Sequence, residues 1–472
     1  MSYKDFCCWH LGLDDFDLLK YGCTTHLATY ILNELQEKLS DVTLLDYPNL
    51  VRLNPSIPWK TRGNGAVAIR FCIHCDERKM LENGYVVLGI IENIVDKYVD
   101  VMAKEFDSIT PDFEPGLAII PQNNLIHDLK WFYEKALTDI VIFDEDLKKR
   151  FEKLGAIFSQ RYSGRGVVGA LAAVAWIVNE SDYTYELLTY RSKKFYEAPR
   201  CVDEESIKLF DSIAKGMTFN NYDYEEKRAL IIPRGFDPIL YGVRGENPNI
   251  LKEALNIIKT CEPMVAWTIF RSNQATDAHA IYRNVSDFKP FRTGKARVVI
   301  ASEPYPMKGG VIVLKAFDAT GEILLAFFRP SHLNRVAKHL KVGDYVEIQG
   351  HAKKWGDITV LHIEKISILR QTKTYLCKAP KCLICGSKMS KKGFGKGYKC
   401  EKCGFVQLNP KLSCTEAPRQ TEERIYLPPP HSQKHLIKPI ERYGKEHKFY
   451  FEQASLIQIK DVTKIIEPLQ FL

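Results

Sequence analysis

Three carboxylates, Asp14, Asp15 and Asp17, follow directly on an apolar stretch, Cys8 to Leu13. Acids gathered at a strand end are a common way to hold Mg²⁺. Gly22-Cys23-Thr24-Thr25 then opens a helical pattern, and a helix start offers unpaired N–H groups to a phosphate. An acidic turn before an N-capping Thr is also an ordinary way to begin a helix, so these residues alone leave both readings open. Further on, Pro55 and Pro58 brace an irregular loop that carries Lys60, Arg62, Gly63 and Asn64. Their charge and amide donors suit the polyphosphate of ATP, although the spacing is not that of a Walker A loop and a solvated basic loop would read alike. Gly164-Arg165-Gly166-Val167-Val168-Gly169 matches GxGxxG at the head of an alanine-rich helix. It lacks the second strand and acid of a dinucleotide site, which leaves an anion-binding helix start or close packing by small residues.

Cys382 and Cys385, then Cys400 and Cys403, form two CxxC pairs, each followed by a glycine (Gly386, Gly404). Two thiolate pairs brought together across a hairpin make a closed tetrahedral Zn²⁺ site, so a structural zinc ribbon is expected over 375–410. The loop between the pairs interleaves lysines with Phe394 and Tyr398, a composition suited to RNA phosphates and stacked bases. Cys72 and Cys75 have no matching pair and would point to opposite faces of a strand, so they are expected to be buried free thiols. The thirteen cysteines as a whole read as reduced thiols plus one metal site rather than as a disulfide framework.

With 472 residues the chain exceeds what one hydrophobic core supports, and its alternating patterns predict a multidomain α+β protein. Residues 1–179 alternate strands (Cys8–Leu13, Thr43–Leu45, Ala66–Ile73, Leu117–Ile120) with helices (Thr25–Leu39, Val86–Glu105, Ile126–Ala136, Val167–Val178); the polar stretch Gly155–Gly166 joins the last of these. Residues 180–287 read as a ferredoxin-like unit with strands at Tyr183–Tyr190, Leu230–Ile232 and Met264–Ser272 and a helix at Pro248–Cys261. Its runs of Asn, Asp, Tyr and Gly around Asp223, Asp237 and Asp277 read equally as a recognition surface or as solvated turns. Residues 288–370 are short strands between Gly turns, which fits an OB-fold barrel, either RNA-binding or a spacer. A basic segment, 411–472, closes the chain, and Pro428–Pro430 reads as an extended linker within it. The net charge of +8 is unevenly placed, with 19 Lys/Arg against 9 Asp/Glu from Gln371 onward, which points to a polyanionic partner at that end. No apolar run is long enough for a membrane span and no signal-peptide pattern precedes the first strand, so a cytoplasmic protein is expected.

Taken in order, Gly12-Leu-Asp-Asp-Phe-Asp17 with Cys23-Thr-Thr25, LVRLNPSIPWKTRGNG from Leu50, GRGVVGALAA from Gly164, TYELLTYR from Thr184, TFNNYDYE from Thr218, DPILYGVRGE from Asp237, FRSNQATDAH from Phe270 and the four-cysteine module resemble the archaeal isoleucine-tRNA 2-agmatinylcytidine synthetases. The resemblance covers most of the chain. It implies a kinase-like ATP-using domain, a ferredoxin-like domain, an OB-fold and a zinc ribbon, in that order. It further implies that ATP phosphorylates the 2-carbonyl oxygen of the wobble cytidine in a CAU-anticodon isoleucine tRNA and that agmatine displaces the phosphate. Asp14, Asp15 and Asp17 would form the Mg²⁺-binding catalytic cluster, Thr24 would be the autophosphorylated threonine, and Lys60, Arg62, Gly63 and Asn64 would contact ATP. A carboxylate for the agmatine guanidinium is sought at Asp223 or Asp237. No obligate protein partner is implied. The chain departs from the family at Phe16 and Leu18, where Thr and Ser are usual. Two other functions stay open on the residues: a non-catalytic RNA-binding protein, and a polynucleotide ligase, against which counts the absence of a KxDG pattern at Lys60.

Overall fold

The computed structural model describes residues 6–18, 22–39, 41–60, 63–75, 80–106, 113–122, 129–176, 182–329, 331–393, 395–447 and 456–472. The N-terminal part runs β1 (Phe6–Asp14), α1 (Thr24–Lys38), β2 (Thr43–Leu44), β3 (Asn49–Arg52), β4 (Gly65–His74), α2 (Met80–Phe106), β5 (Gly116–Pro121), α3 (Lys130–Thr138), α4 (Glu145–Glu152), β6 (Ile157–Ser163) and α5 (Val167–Ala175). β1 lies between β4 and β5, antiparallel to both, with Gly12 opposite Ala68 and Ala118 and Asp14 opposite Gly116. Alternation along β1 divides its side chains between two cores. Trp9, Leu11 and Leu13 pack with α1 and α2, while Cys8 faces the layer of α3 and α5. The stretch Gly155–Gly166, taken from its polarity as a connection, contains β6 at a sheet edge, where exposed Gln160 and Arg161 cost little.

The next elements are β7 (Thr184–Arg191), α6 (Glu204–Ile213), β8 (Thr218–Phe219), β9 (Tyr222–Asp223), β10 (Arg228–Ala229), β11 (Ile239–Gly245), α7 (Pro248–Ile257) and β12 (Met264–Ser272). β12 pairs in parallel with β3 at Arg271–Asn49 and Ser272–Leu50, so one sheet of eleven strands carries both parts. Leu230–Ile232 forms no strand; the preceding Arg228–Ala229 makes a two-stranded ribbon with Tyr222–Asp223. Then come β13 (Thr293–Ile300), β14 (Tyr305–Pro306), β15 (Ile312–Asp318), β16 (Gly321–Phe327), α8 (His332–Ala337), β17 (Tyr345–Trp355) and β18 (Ile358–Arg370). β13 pairs with both β17 and β15, which closes a ring of five strands around Val298, Ile348 and Leu325. A stem of Tyr375–Lys378 and Ser413–Glu416 carries the four-cysteine module.

Two expectations are corrected. Cys72 and Cys75 are not free thiols: Cys8–Cys72 and Cys7–Cys75 are disulfides, as are Cys201–Cys261 and Cys377–Cys414. Opposite faces forbid a shared metal, but the β1–β4 ladder gives each thiol its own partner across the strands, with Cys8 directly opposite Cys72. Nor is Pro428–Pro430 a linker free of the fold: Pro428 and Pro429 are buried, and the basic segment beyond them packs against the rest of the chain. Leu436, Ile437, Lys438 and Arg442 are buried, and Thr463–Ile465 adds a strand antiparallel to β12. Arg442 pairs with Asp182 and Glu246, Lys438 with Asp182 and Glu446, and Lys434 with Glu364, so this part of the positive charge is neutralised internally. Among the described residues no helix is long and apolar enough to cross a membrane.

Candidate active site

The acidic turn begins where β1 runs out against the start of α5. A Cβ at Gly12 would collide with the Ala170 carbonyl, one at Gly116 with the Gly166–Val167 peptide, and one at Gly169 with the Asp14 carboxylate. These glycines let helix and strand ends touch, so the GxGxxG run is a close-packing device whose space is filled by Asp14. Asp15 takes a left-handed conformation, φ 61°, which turns the chain sharply. Asp17 Oδ1 then accepts from Thr24 N–H at 3.2 Å, and Thr24 Oγ1 accepts from Phe16 N–H at 3.3 Å, which ties the turn to the head of α1. Phe16 and Leu18 point into the apolar core, Phe16 against Phe113 and Tyr162. The two departures from the family pattern are therefore anchors of the turn.

Charge is unbalanced at this turn. One cation beside it is Arg165, 3.9 Å from Asp15 and also from Glu114. Burial, then the neighbouring Asp15, raises the Asp14 carboxyl well above the usual range. Burial and Asp17 push Asp15 up to about 7 in spite of Arg165. Asp14 and Asp15, raised by burial and by the carboxylates beside them, fit a divalent ion.

Two cavities meet at the turn. The smaller, about 70 Å³, is lined by Asp14 and Asp15 together with Lys60, Asn64, Asp139, Arg165 and Gly166. The larger, about 430 Å³, is lined by Asp17, Thr24, Gly63, Arg52, Glu186, Asp237, Arg244, His431 and His435. Lys60 and Asn64 therefore reach one cavity and Gly63 the other, while Arg62 lies outside the described residues. Asn64, at φ 47°, donates to the Asn54 carbonyl at 2.9 Å and so shapes the loop. Burial, then the charges of Lys434 and Lys353, lowers the Lys60 ammonium. Asp237 faces the larger cavity but is paired with Arg200 at 2.9 Å. Asp223 does not line it; its buried carboxylate accepts from Glu225 and Glu226 N–H at 3.1 Å and bonds His431 Nδ1 at 2.8 Å.

The residues missed from sequence are those that converge on the larger cavity from far apart. Glu186, on β7, holds Arg244 at 3.0 Å and Arg52 at 3.7 Å and also bonds Gln274. An acid within the apolar strand TYELLTYR was the available signal. His431 and His435 come from the C-terminal segment, and nothing in their spacing pointed to a site on β7 and β11.

The four-cysteine module is built as two matching turns. Gly386 N–H donates to the Cys382 carbonyl and Gly404 N–H to that of Cys400, each at 2.9 Å. The four sulfurs lie within 4.8 Å of one another, Cys382–Cys403 at 3.5 Å and Cys385–Cys400 at 3.4 Å. A tetrahedral ion with Zn–S bonds of about 2.3 Å accepts such a cluster. Phe394 lies outside the described residues; Lys388, Lys391, Lys392 and Lys396 of the intervening loop are exposed.

The comparisons with known proteins agree along the whole chain. The TiaS TCKD domain matches residues 10–161 and the TiaS FLD domain residues 164–279. The isoleucine-tRNA 2-agmatinylcytidine synthetase TiaS of Ignisphaera aggregans is 52% identical over 469 residues, covering 98% of this chain and 99% of its own. The protein of that name from Archaeoglobus fulgidus is 33% identical, with 93% and 99% covered. Among solved structures, a complex of TiaS with its isoleucine tRNA and ATP superposes with TM-score 0.77 at 30% identity, and one with the tRNA, AMPCPP and agmatine with 0.73 at 28%; each covers 92% of this chain and 97% of the other.

Proposed function

The chain belongs to the TiaS family, and from that membership we propose that it joins agmatine to the wobble cytidine of a CAU-anticodon isoleucine tRNA at the expense of ATP. The 2-carbonyl oxygen is a poor leaving group until it is phosphorylated, so the site must first move a phosphoryl group and then admit an amine to the same carbon. One observation carries the division of labour: the acidic turn is shared, Asp14 and Asp15 opening on one cavity and Asp17 and Thr24 on the other.

In this reading the smaller cavity takes the ATP phosphates. Lys60 and Asn64 supply cation and amide from one side, Arg165 a second cation from the other, and Arg62 and Gly63 complete the loop. Asp14, Asp15 and Asp17 would hold Mg²⁺, which when bound screens the charge that develops on the transferred phosphoryl group. Thr24, on the opposite side of the turn at the head of α1, would be the residue that receives a phosphate there. The flipped cytidine and agmatine share the larger cavity. Asp237 is the carboxylate proposed to face the guanidinium, with Asp223 acting on the same cavity through His431. In the same reading the five-stranded barrel would be an OB-fold, the β7–β12 part a ferredoxin-like unit, the N-terminal part a kinase-like domain and the cysteine module a zinc ribbon holding a structural Zn²⁺, with barrel and ribbon gripping RNA outside the cavity.

The test is incorporation of radiolabelled agmatine into a transcript of that tRNA by purified protein with Mg-ATP. Label that requires both ATP and the wobble cytidine is expected. Equal labelling of a transcript with uridine at that position, or none while tRNA binds tightly, would reject the assignment, the latter in favour of an RNA-binding protein.

A further inference from the structure

Displacement of phosphate by an alkylamine has a proton problem that the acidic turn does not solve. The nucleophile is the neutral amine, and its nitrogen becomes cationic as the N–C2 bond forms, so a base must stand in the larger cavity. Most ionisable groups that line it are engaged. Asp17 caps α1, Asp237 is paired with Arg200, and Glu186 is held by Arg52, Arg244 and Gln274. His435 Nδ1 meets Gln274 at 3.1 Å and Arg244 at 3.3 Å, and burial with the Arg52 and Arg244 charges holds it neutral.

His431 is built differently. Its Nδ1 is 2.8 Å from Asp223 Oδ2, and that buried carboxylate is itself fixed by two backbone donors. A carboxylate on Nδ1 sets the tautomer that leaves the Nε2 lone pair outward. Nε2 makes no hydrogen bond among the described residues, and the imidazole, 16% exposed, borders the cavity. The prolines Pro428–Pro430 turn the chain here through a short 3₁₀ segment, Pro430–Ser432, that presents His431. Burial alone would raise the Asp223 carboxyl, but the bond to His431 and the backbone donors outweigh it, so it stays a carboxylate able to face an imidazolium.

We propose that His431, positioned by Asp223, is the general base that takes the proton from the agmatine nitrogen as it attacks C2, an inference that rests on the reaction given above. The N–C2 bond forms, the C2–O bond to the phosphoryl group breaks, inorganic phosphate leaves with that electron pair, and the proton shed by nitrogen moves to Nε2. His431 is thereby a catalytic residue of the second half-reaction and not of the first.

The two halves can be read separately on the full-length protein: transfer of labelled γ-phosphate to tRNA without agmatine, and agmatine incorporation. In His431→Gln and His431→Ala phosphate transfer persists while incorporation falls roughly 10²-fold or more. Added imidazole restores part of it to His431→Ala, and hydroxylamine, whose nitrogen once attached is the stronger acid and gives its proton to water more readily, suffers less from the substitution. Asp223→Asn shows the same split with a smaller loss and carries the test if the His431 variants no longer bind tRNA. Unchanged incorporation, or phosphate transfer falling in step with it while tRNA binding persists, overturns the proposal. An unmodified chain that incorporates no agmatine removes the reaction itself, and the base with it.

Discussion

At the scale of the residue, the acidic turn is held in a state that costs stability when it is charged. Asp15, raised to about 7 by burial and by Asp17, favours the protonated form in the folded chain. Its contribution is fully present below the unfolded carboxyl pKa of about 3.9 and is lost as pH rises through about 7. Without divalent cations the melting temperature should therefore fall between about pH 4 and 7, more steeply than in Asp15→Asn, and level off above that. Mg²⁺ should close the gap, while the variant loses phosphate transfer and keeps tRNA binding. Equal pH profiles in calorimetry would refute the raised carboxyl. Gly169→Ala probes the same turn by shape, since its Cβ would drive the Asp14 carboxylate aside. A displacement of about 1 Å can cost roughly 10²-fold, so agmatine incorporation should fall by about that factor. A fully active Gly169→Ala would show that Asp14 has no fixed position to lose.

Elements give the turn its rigidity, and two of them can be unfastened. β1 is bolted to β4 by Cys8–Cys72 and Cys7–Cys75, with sequence separations of 64 and 68. Closing loops of that size stabilises by roughly 2–4 kcal/mol by restricting the unfolded chain, and the two nested loops will not add fully. Thiol titration of the unreduced, unfolded protein after metal removal should find five free cysteines. Reductant should lower the melting temperature; a count of thirteen thiols would reject all four bridges. The four-cysteine module is independent of that core. Cys400→Ser with Cys403→Ser should release zinc and weaken tRNA binding while leaving the main thermal transition in place; zinc content that does not change in elemental analysis would remove the metal assignment.

For the molecule as a whole, the C-terminal segment fastens the sheet to the barrel. Asp277, near the end of β12, is paired with Lys365 of β18 and accepts from Gln349 and from Lys438 N–H, so strand, barrel and C-terminal segment meet at one carboxylate. Burial would raise this acid, but Lys365 and the hydrogen bonds outweigh it and the net shift is downward, so the junction is stable above the ordinary carboxylate range and weakens in acid. Truncation after Tyr426 should lower the melting temperature and abolish agmatine incorporation, because it removes His431, His435, Arg442 and the strand at Thr463–Ile465. If the shortened chain only bound tRNA less tightly, the segment would be the basic tail that its composition suggests.

Sequence alone determined the main strands and helices of the N-terminal part, though not β3, α4 or the edge strand β6, and with them the closing strand Met264–Ser272, the short strands of the barrel and the cluster of four cysteines, because hydrophobic period and ligand spacing are local properties. It also marked the acidic turn and the Lys60–Asn64 loop, each contiguous in the chain. Tertiary structure decided what those pieces share. The parallel seam of β3 with β12 merged two parts into one sheet, the β1–β4 register paired cysteines that sequence had left single, and the C-terminal return brought His431 to Asp223. These are contacts across tens to hundreds of residues, and whether Lys438 and Arg442 meet RNA or the partly buried Asp182 depends on which carboxylates the fold carries to them.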